Sequence, residues 1–140
     1  MPIYQCLIQQ NSLSAEQKQQ MSAEITRIHR DVTGAPAIFV DVIFDEVPRG
    51  DWFTAGEPSS RSIIQAAIRA GRTDEQKASL MSQISRSWNR VTGQREEDLE
   101  IAVMDFPARY LMRGGMLLPE DGQEREWLAR LKSAATGQRM

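Results

Sequence analysis

Ser14-Ala15-Glu16-Gln17-Lys18 returns 59 residues later as Thr73-Asp74-Glu75-Gln76-Lys77, and Val32-Thr33-Gly34 returns at the same offset as Val91-Thr92-Gly93. The first pair has the form of a capping box, in which a hydroxyl and a glutamine amide satisfy the free N–H groups at a helix start. The second pair puts glycine where a helix ends, the residue that takes the left-handed conformation there at least cost. Between these signals Met21, Ile25, Ile28 and Val32 recur at helical spacing, and Leu80, Ile84 and Val91 stand in the matching places. Two copies of one helix, each with an apolar stripe, are therefore expected.

Strands lie outward from each helix. Residues 2–9 are rich in β-formers, Ser62 to Arg69 is their counterpart, and Ala37 to Phe44 is a nearly continuous apolar run after the first helix. Val47-Pro48 recurs as Phe106-Pro107. The chain thus reads as a duplicated βαβ unit, residues 2–48 and 61–107, with an extension over 108–140, all in one domain spanning 1–140. Parallel strands need a right-handed crossover that lays its helix on one sheet face. The fold class expected is α+β, built of α/β-type βαβ repeats: a four-stranded sheet with two helices on one face. The extension reads as a hairpin-like apolar stretch, Leu111-Met112 and Met116-Leu117-Leu118, and a helix beginning near Pro119 with Trp127, Leu128 and Leu131 on one face. The second sheet face stays uncovered, which argues for an oligomer with sheets facing one another.

Composition removes several function classes. Hydrophobic residues at 41% and charged residues at 26% are ordinary globular values. The net charge of −2, with both signs mixed along the chain, gives no footprint for nucleic acid. No apolar run approaches the roughly 20 residues that span a bilayer, and the polar start is unlike a secretory signal, so a cytoplasmic protein without a membrane partner is expected. Cys6 has no second cysteine to pair with, and with His29 it offers too few ligands for a closed zinc site. Cys6 reads as a small core residue, and neither a metal nor a cofactor is expected.

Chemistry concentrates in a few residues. Removal of Met1 would leave Pro2 as a secondary amine at the start of a strand, and an α-amine with an ordinary pKa near 7.7 to 8.0 becomes a neutral base when burial or a nearby cation lowers it. The bland alternative is a plain strand start, where the missing N–H costs nothing. Arg69 and Arg72, in Ile68-Arg69-Ala70-Gly71-Arg72, read by spacing alone first as cations bonded to helix carboxylates and second as a receptor for a substrate carboxylate. His29, the single histidine, lies at the margin of the first helix's apolar stripe, and its repeat counterpart is Trp88. Trp52 and Phe53, in the turn-rich loop between the halves, are candidates to wall a pocket, or else packing plugs.

Pro2 after the initiator Met, the duplicated βαβ unit, His29 late in the first helix, and the segment Ile68-Arg69-Ala70-Gly71-Arg72-Thr73 together resemble the tautomerase superfamily, in its group typified by cis-3-chloroacrylic acid dehalogenase. The resemblance implies that Pro2 transfers the proton, that Arg69 and Arg72 hold a substrate carboxylate, and that His29 binds or polarises the substrate. It also implies a homotrimer whose sheets form a central barrel. One departure stands out: the Tyr and Glu with which such dehalogenases activate water are replaced by Ala102 and Arg113. Asp105, Tyr110 and Glu120 lie near in sequence, and no spacing selects one as a substitute. The expected activity is tautomerisation of a small 2-oxo acid or enol carboxylate, with Pro2 and His29 catalytic, Arg69 and Arg72 binding the carboxylate, and Arg113, Trp52 and Phe53 around the pocket. The alternatives are a cis-3-haloacrylate dehalogenase or hydratase and a carboxylate-binding oligomer without turnover, which an Arg113 facing the pocket would favour.

Overall fold

The computed structural model describes residues 1–139, and the side chains of 1–135. In chain order its elements are β1 (Ile3–Gln9), α1 (Ala15–Thr33), β2 (Asp41–Val47), the short strands β3 (Phe53–Thr54) and β4 (Glu57–Pro58), then β5 (Ser62–Arg69), α2 (Asp74–Thr92), β6 (Leu99–Phe106), the short strands β7 (Met112–Arg113) and β8 (Met116–Leu117), and α3 (Glu124–Arg139). The main sheet runs β2-β1-β5-β6. Within each repeat the strands are parallel, β1 with β2 and β5 with β6, and the repeats meet through an antiparallel β1–β5 pair. A pseudo-two-fold axis therefore passes between β1 and β5, and the start of β1 lies beside the start of β2 and the ends of β5 and β6.

Both helices start as their sequences require. Ser14 Oγ accepts from the Gln17 amide N–H at 3.1 Å while Gln17 Oε1 accepts from the Ser14 N–H at 2.9 Å, and Thr73 and Gln76 repeat both distances. The same glutamines do a second job. Gln17 Nε2 donates to the Val91 carbonyl at 3.4 Å and Gln76 Nε2 to the Val32 carbonyl at 3.1 Å, so each helix start also ties down the last turn of the other helix. Gly34 and Gly93 close the helices at φ of +77° and +78°.

The core forms where the helical stripes meet one face of the sheet. Pro2, Tyr4, Cys6 and Ile8 of the first strand region are buried at alternate positions, as are Ile64, Ala66 and Ile68 of β5, and they pack with Met21, Ile25, Ile28, Leu80, Ile84 and Trp88. Residues on the other face, Ile43 and Met104 among them, stay exposed in the single chain. Among the described residues no helix is long and apolar enough to cross a membrane, and no group of three or more His, Cys, Asp or Glu side chains is placed to hold a metal ion.

Three local expectations are corrected. The run from Ala37 does not start as a strand: Ala37–Phe39 forms a 3₁₀ turn that sends Phe39 away from the sheet, and β2 begins at Asp41. The last helix begins at Glu124 rather than near Pro119, because residues 119–123 are spent on a turn and on contacts to β5. The repeat also runs further than read, since the ribbon β3–β4 returns as β7–β8 at the same offset of 59 residues. A second apolar cluster, Phe39, Ala108, Leu118 and Trp127, joins this later ribbon and α3 to the start of β1, and Met1 packs against it. Trp127 meets Phe39 edge-on at 5.3 Å and donates its Nε1–H to the Leu117 carbonyl at 2.6 Å.

Candidate active site

Pro2 opens the central strand β1 and is buried, its carbonyl accepting from the Asp41 N–H at 3.1 Å. Here Met1 acylates its nitrogen. Proline costs the sheet nothing at a first position, since no ladder donor is needed there. Two residues on, with its side chain on the same face, Tyr4 reaches α1 and brings its hydroxyl to 2.8 Å from His29 Nδ1, the rings meeting edge-on at 5.7 Å. His29 is not at a half-exposed margin but within the core, 2% exposed. Burial first, then the charges of Arg72, Arg69 and the terminal amine, push its pKa down to about 3. Burial raises that of Tyr4. The phenol therefore keeps its proton and donates to Nδ1, which assigns the imidazole proton to Nε2. Nε2 has no protein partner among the described residues.

Arg69 closes β5, and Arg72 follows one turn later. Gly71 between them sits at φ +111°, a conformation only glycine adopts without strain, and this sharp turn keeps both guanidiniums at the same end of the sheet. Both are buried and both meet carboxylates of the chain itself, which is the first of the two sequence readings, with Glu124 on a helix and Asp121 on a turn. Arg69 donates to the Pro119 carbonyl at 2.6 Å and to Glu124 Oε1 at 2.9 Å, and lies 5.9 Å from the centre of the Phe39 ring. Arg72 donates through Nη1 to Asp121 Oδ1 at 2.9 Å, while its buried Nε has no hydrogen-bond partner among the described residues.

Arg113, on the ribbon strand β7, stands on the same side. Its Nη1 is 3.5 Å from the Phe39 carbonyl and 3.9 Å from Asp41 Oδ2, and its guanidinium lies 6.0 Å from the Phe39 ring centre. The amino group of Met1 feels this cluster directly. Burial lowers its pKa most, Arg113 and Arg69 lower it further, and Asp41 opposes them.

The structure thus brings Pro2, His29, Arg69, Arg72 and Arg113 to one end of the sheet. Trp52 and Phe53 do not join them within the chain: β2 delivers their loop to the opposite end, where Trp52 lines a hollow with Gln9, Ser12 and Ser59, and Phe53 is 58% exposed. That end is the pseudo-symmetric copy of the first. There Arg61 stands for Pro2, Trp88 for His29, Gln10 for Arg69 and Leu13 for Arg72. Trp88 is buried and donates its Nε1–H to Gln94 Oε1 at 2.8 Å. Ala102 lies exposed on β6 opposite Gln65, and Cys6 is buried in the core, its thiol pushed up to about 12, chiefly by burial. The residues that sequence reasoning missed are Tyr4, Phe39, Asp41, Asp121 and Glu124. Period-two alternation from Pro2 would have found Tyr4, whereas nothing local links Asp121 or Glu124 to arginines some 50 residues earlier.

The family Tautomerase_3, described as "Putative oxalocrotonate tautomerase enzyme", matches residues 1–132. Among solved structures, N1, a member of the cis-3-chloroacrylic acid dehalogenase family, is 31% identical over 97% of this chain and 96% of its own, with a TM-score of 0.89. Native Ps01740 is 37% identical over 79% of this chain and 99% of its own, with a TM-score of 0.78. A native fused 4-OT is 26% identical over 82% and 94% of the two chains, with a TM-score of 0.75. No curated protein matches. With the duplicated fold and a family match that runs through the first turns of α3, the chain belongs to the tautomerase superfamily, through Tautomerase_3, and resembles its cis-3-chloroacrylic acid dehalogenase group.

Proposed function

We propose that the chain is a tautomerase-type enzyme in which the amine of Pro2, freed by removal of Met1, moves a proton within a small 2-oxo acid or its enol. The observation that carries this reading is the shared field at one end of the sheet: burial and two arginines hold His29 neutral, and burial with Arg113 and Arg69 lowers the terminal amine beside it. That amine belongs to Met1, and the same burial and cations would favour the uncharged form of an amine freed one residue on, at Pro2. Membership of the tautomerase superfamily supports an enzymatic role of this kind.

In the forward direction the Pro2 nitrogen takes the enol hydroxyl proton, the oxygen's electrons form the carbonyl, the C=C π bond opens, and its pair takes the proton back from Pro2 at the adjacent carbon. Arg72 receives the carboxylate, Arg69, bonded to Glu124 and the Pro119 carbonyl, adds its positive charge nearby, and His29 donates its Nε2–H to the oxygen on which negative charge develops. Neutral imidazole suits that role because it carries the donor without a charge that would have to be buried. Hydration or dehalogenation of a 3-substituted acrylate is the weaker reading. Ala102 brings no hydroxyl, and Arg113 brings a cation where a water-activating carboxylate is required.

A homotrimer completes the proposal. The helix-free sheet face carries exposed Ile43, Met104 and Phe106, which an assembly of facing sheets would cover, and a fused 4-OT of the same fold is described as an asymmetric trimer. Light scattering should give the mass of three chains. The function is tested by intact mass followed by ultraviolet assay of phenylenolpyruvate ketonisation. Loss of Met1 and a fall of about 10² to 10⁴ in rate for Pro2→Ala are expected. Equal rates in wild type and mutant would remove Pro2 as the working group, and rates at the uncatalysed background in both would leave carboxylate binding without turnover.

A further inference from the structure

Three arginines stand at this end of the sheet, and each already faces a carboxylate of its own chain: Arg69 with Glu124 at 2.9 Å, Arg72 with Asp121 at 2.9 Å, and Arg113 with Asp41 at 3.9 Å. The three pairs are built differently. Arg69 spends a second donor on the Pro119 carbonyl, and its carboxylate partner Glu124 is only 15% exposed in the first turn of α3, so this pair is closed on both sides. Arg113 and Asp41 lie beyond hydrogen-bond distance, and water reaches both side chains.

Arg72 has a buried donor edge that no acceptor occupies among the described residues. Its side chain is 3% exposed, Asp121 occupies Nη1 alone, and the buried Nε is a donor with nothing to donate to among the described residues. The edge made by Nε and Nη2 is the one to which a carboxylate binds side-on with two parallel hydrogen bonds. Asp121, by contrast, is 59% exposed on a turn that the Gln123 N–H closes onto the Glu120 carbonyl at 3.1 Å. Arg72 is therefore held in a buried place, and Asp121 sets an exposed negative charge at its Nη1.

We propose that Asp121 is a resident counter-ion that weakens the hold of Arg72 on a substrate carboxylate, so that this residue sets the affinity of the site for small monocarboxylates. The inference rests on the reading above that Arg72 receives the substrate carboxylate. Two negative charges on opposite edges of one guanidinium repel across a few ångströms, and removing the resident charge should tighten binding by about tenfold at low salt. Asparagine keeps the Nη1 hydrogen bond and removes only the charge.

The experiment titrates the full-length chain, in its native assembly, with phenylpyruvate followed by NMR, for wild type, Asp121→Asn, Asp121→Ala and Arg72→Ala, at low and at high salt. Both Asp121 variants are expected to bind about tenfold more tightly at low salt, with the gain shrinking as salt screens the charge. KM for phenylenolpyruvate should move by the same factor as Kd. A Kd for Asp121→Asn equal to or weaker than wild type, while Arg72→Ala abolishes binding, overturns the role of Asp121 and leaves the carboxylate assignment standing. Binding that survives Arg72→Ala overturns both.

Discussion

Replacing Tyr4 by phenylalanine removes one oxygen atom and keeps the ring, so the edge-on packing against His29 at 5.7 Å survives while the 2.8 Å hydrogen bond to Nδ1 is lost. His29 is 2% exposed, so water cannot replace the donor without a rearrangement. A buried acceptor left unmatched costs about 1 to 3 kcal/mol, and the variant should lose that much in urea unfolding. The second consequence concerns the proton. The hydroxyl is what commits Nδ1 to accepting and Nε2 to donating, so its loss frees the ring to rotate or exchange tautomers. If about half of the lost interaction is felt in the transition state, kcat/KM for phenylenolpyruvate falls roughly two- to tenfold, since about 1.4 kcal/mol is a factor of ten. The chain has one histidine, so its two ring nitrogens can be followed without ambiguity by ¹⁵N NMR. In wild type one nitrogen should appear as a hydrogen-bonded acceptor, and in Tyr4→Phe it should shift to the position of a bare imine nitrogen. An unchanged ¹⁵N spectrum together with a stability change below about 0.5 kcal/mol would refute the assignment of Tyr4 as donor and of Nε2 as the free donor.

Other expected outcomes follow from the same geometry. His29 titrates at about 3 in the folded chain and near 6.5 unfolded, so the unfolded chain takes up the proton first. Stability should therefore fall as pH drops from about 6.5 to about 3, by up to about 1.4 kcal/mol per pH unit, and urea midpoints for His29→Phe should lack that component. Arg69→Met strands the largely buried Glu124 and the Pro119 carbonyl, and should cost about 3 to 5 kcal/mol in urea unfolding. Arg72→Met leaves only the exposed Asp121 behind and should cost less than about 2 kcal/mol in the same assay. Trp127→Ala opens the second apolar cluster and deprives the Leu117 carbonyl of its donor, so a loss of about 3 to 5 kcal/mol is expected. Faster hydrogen exchange in α3 than in α1 would locate that loss.

The parts of this structure written in local sequence were legible. Ser14 with Gln17, Thr73 with Gln76, and the glycines at 34 and 93 are signals whose partners lie within one turn, and they delimit both helices where the structure has them. The 59-residue echo then supplied the architecture, because two βαβ units have few ways to share a sheet. What could not be read depends on contacts between distant segments. The stripe placed His29 at a margin, yet the ring goes inward because Tyr4 on another element offers it a donor. Phe39 sits in a run that looks like a strand, and it turns away because Trp127, far along the chain, completes an apolar cluster around it. The carboxylates that meet Arg69 and Arg72 come from the turn and helix after Pro119, a pairing set by where the extension folds back and by no spacing in the sequence.

The pseudo-two-fold arrangement has a consequence for how such a site can change. An assembly of identical single βαβ subunits would carry every substitution at both ends of each sheet, including the cost of burying histidine and arginine. In this chain the halves are joined, and the two ends have parted: Pro2, His29, Arg69 and Arg72 at one end, Arg61, Trp88, Gln10 and Leu13 at the other. The far end holds an indole packed in the core in place of a depressed imidazole, and a leucine packed against that core in place of a guanidinium. Linkage of the halves thus lets an end with buried histidine and arginines coexist in one molecule with an end that buries an indole in their place, each free to drift without dragging the other along.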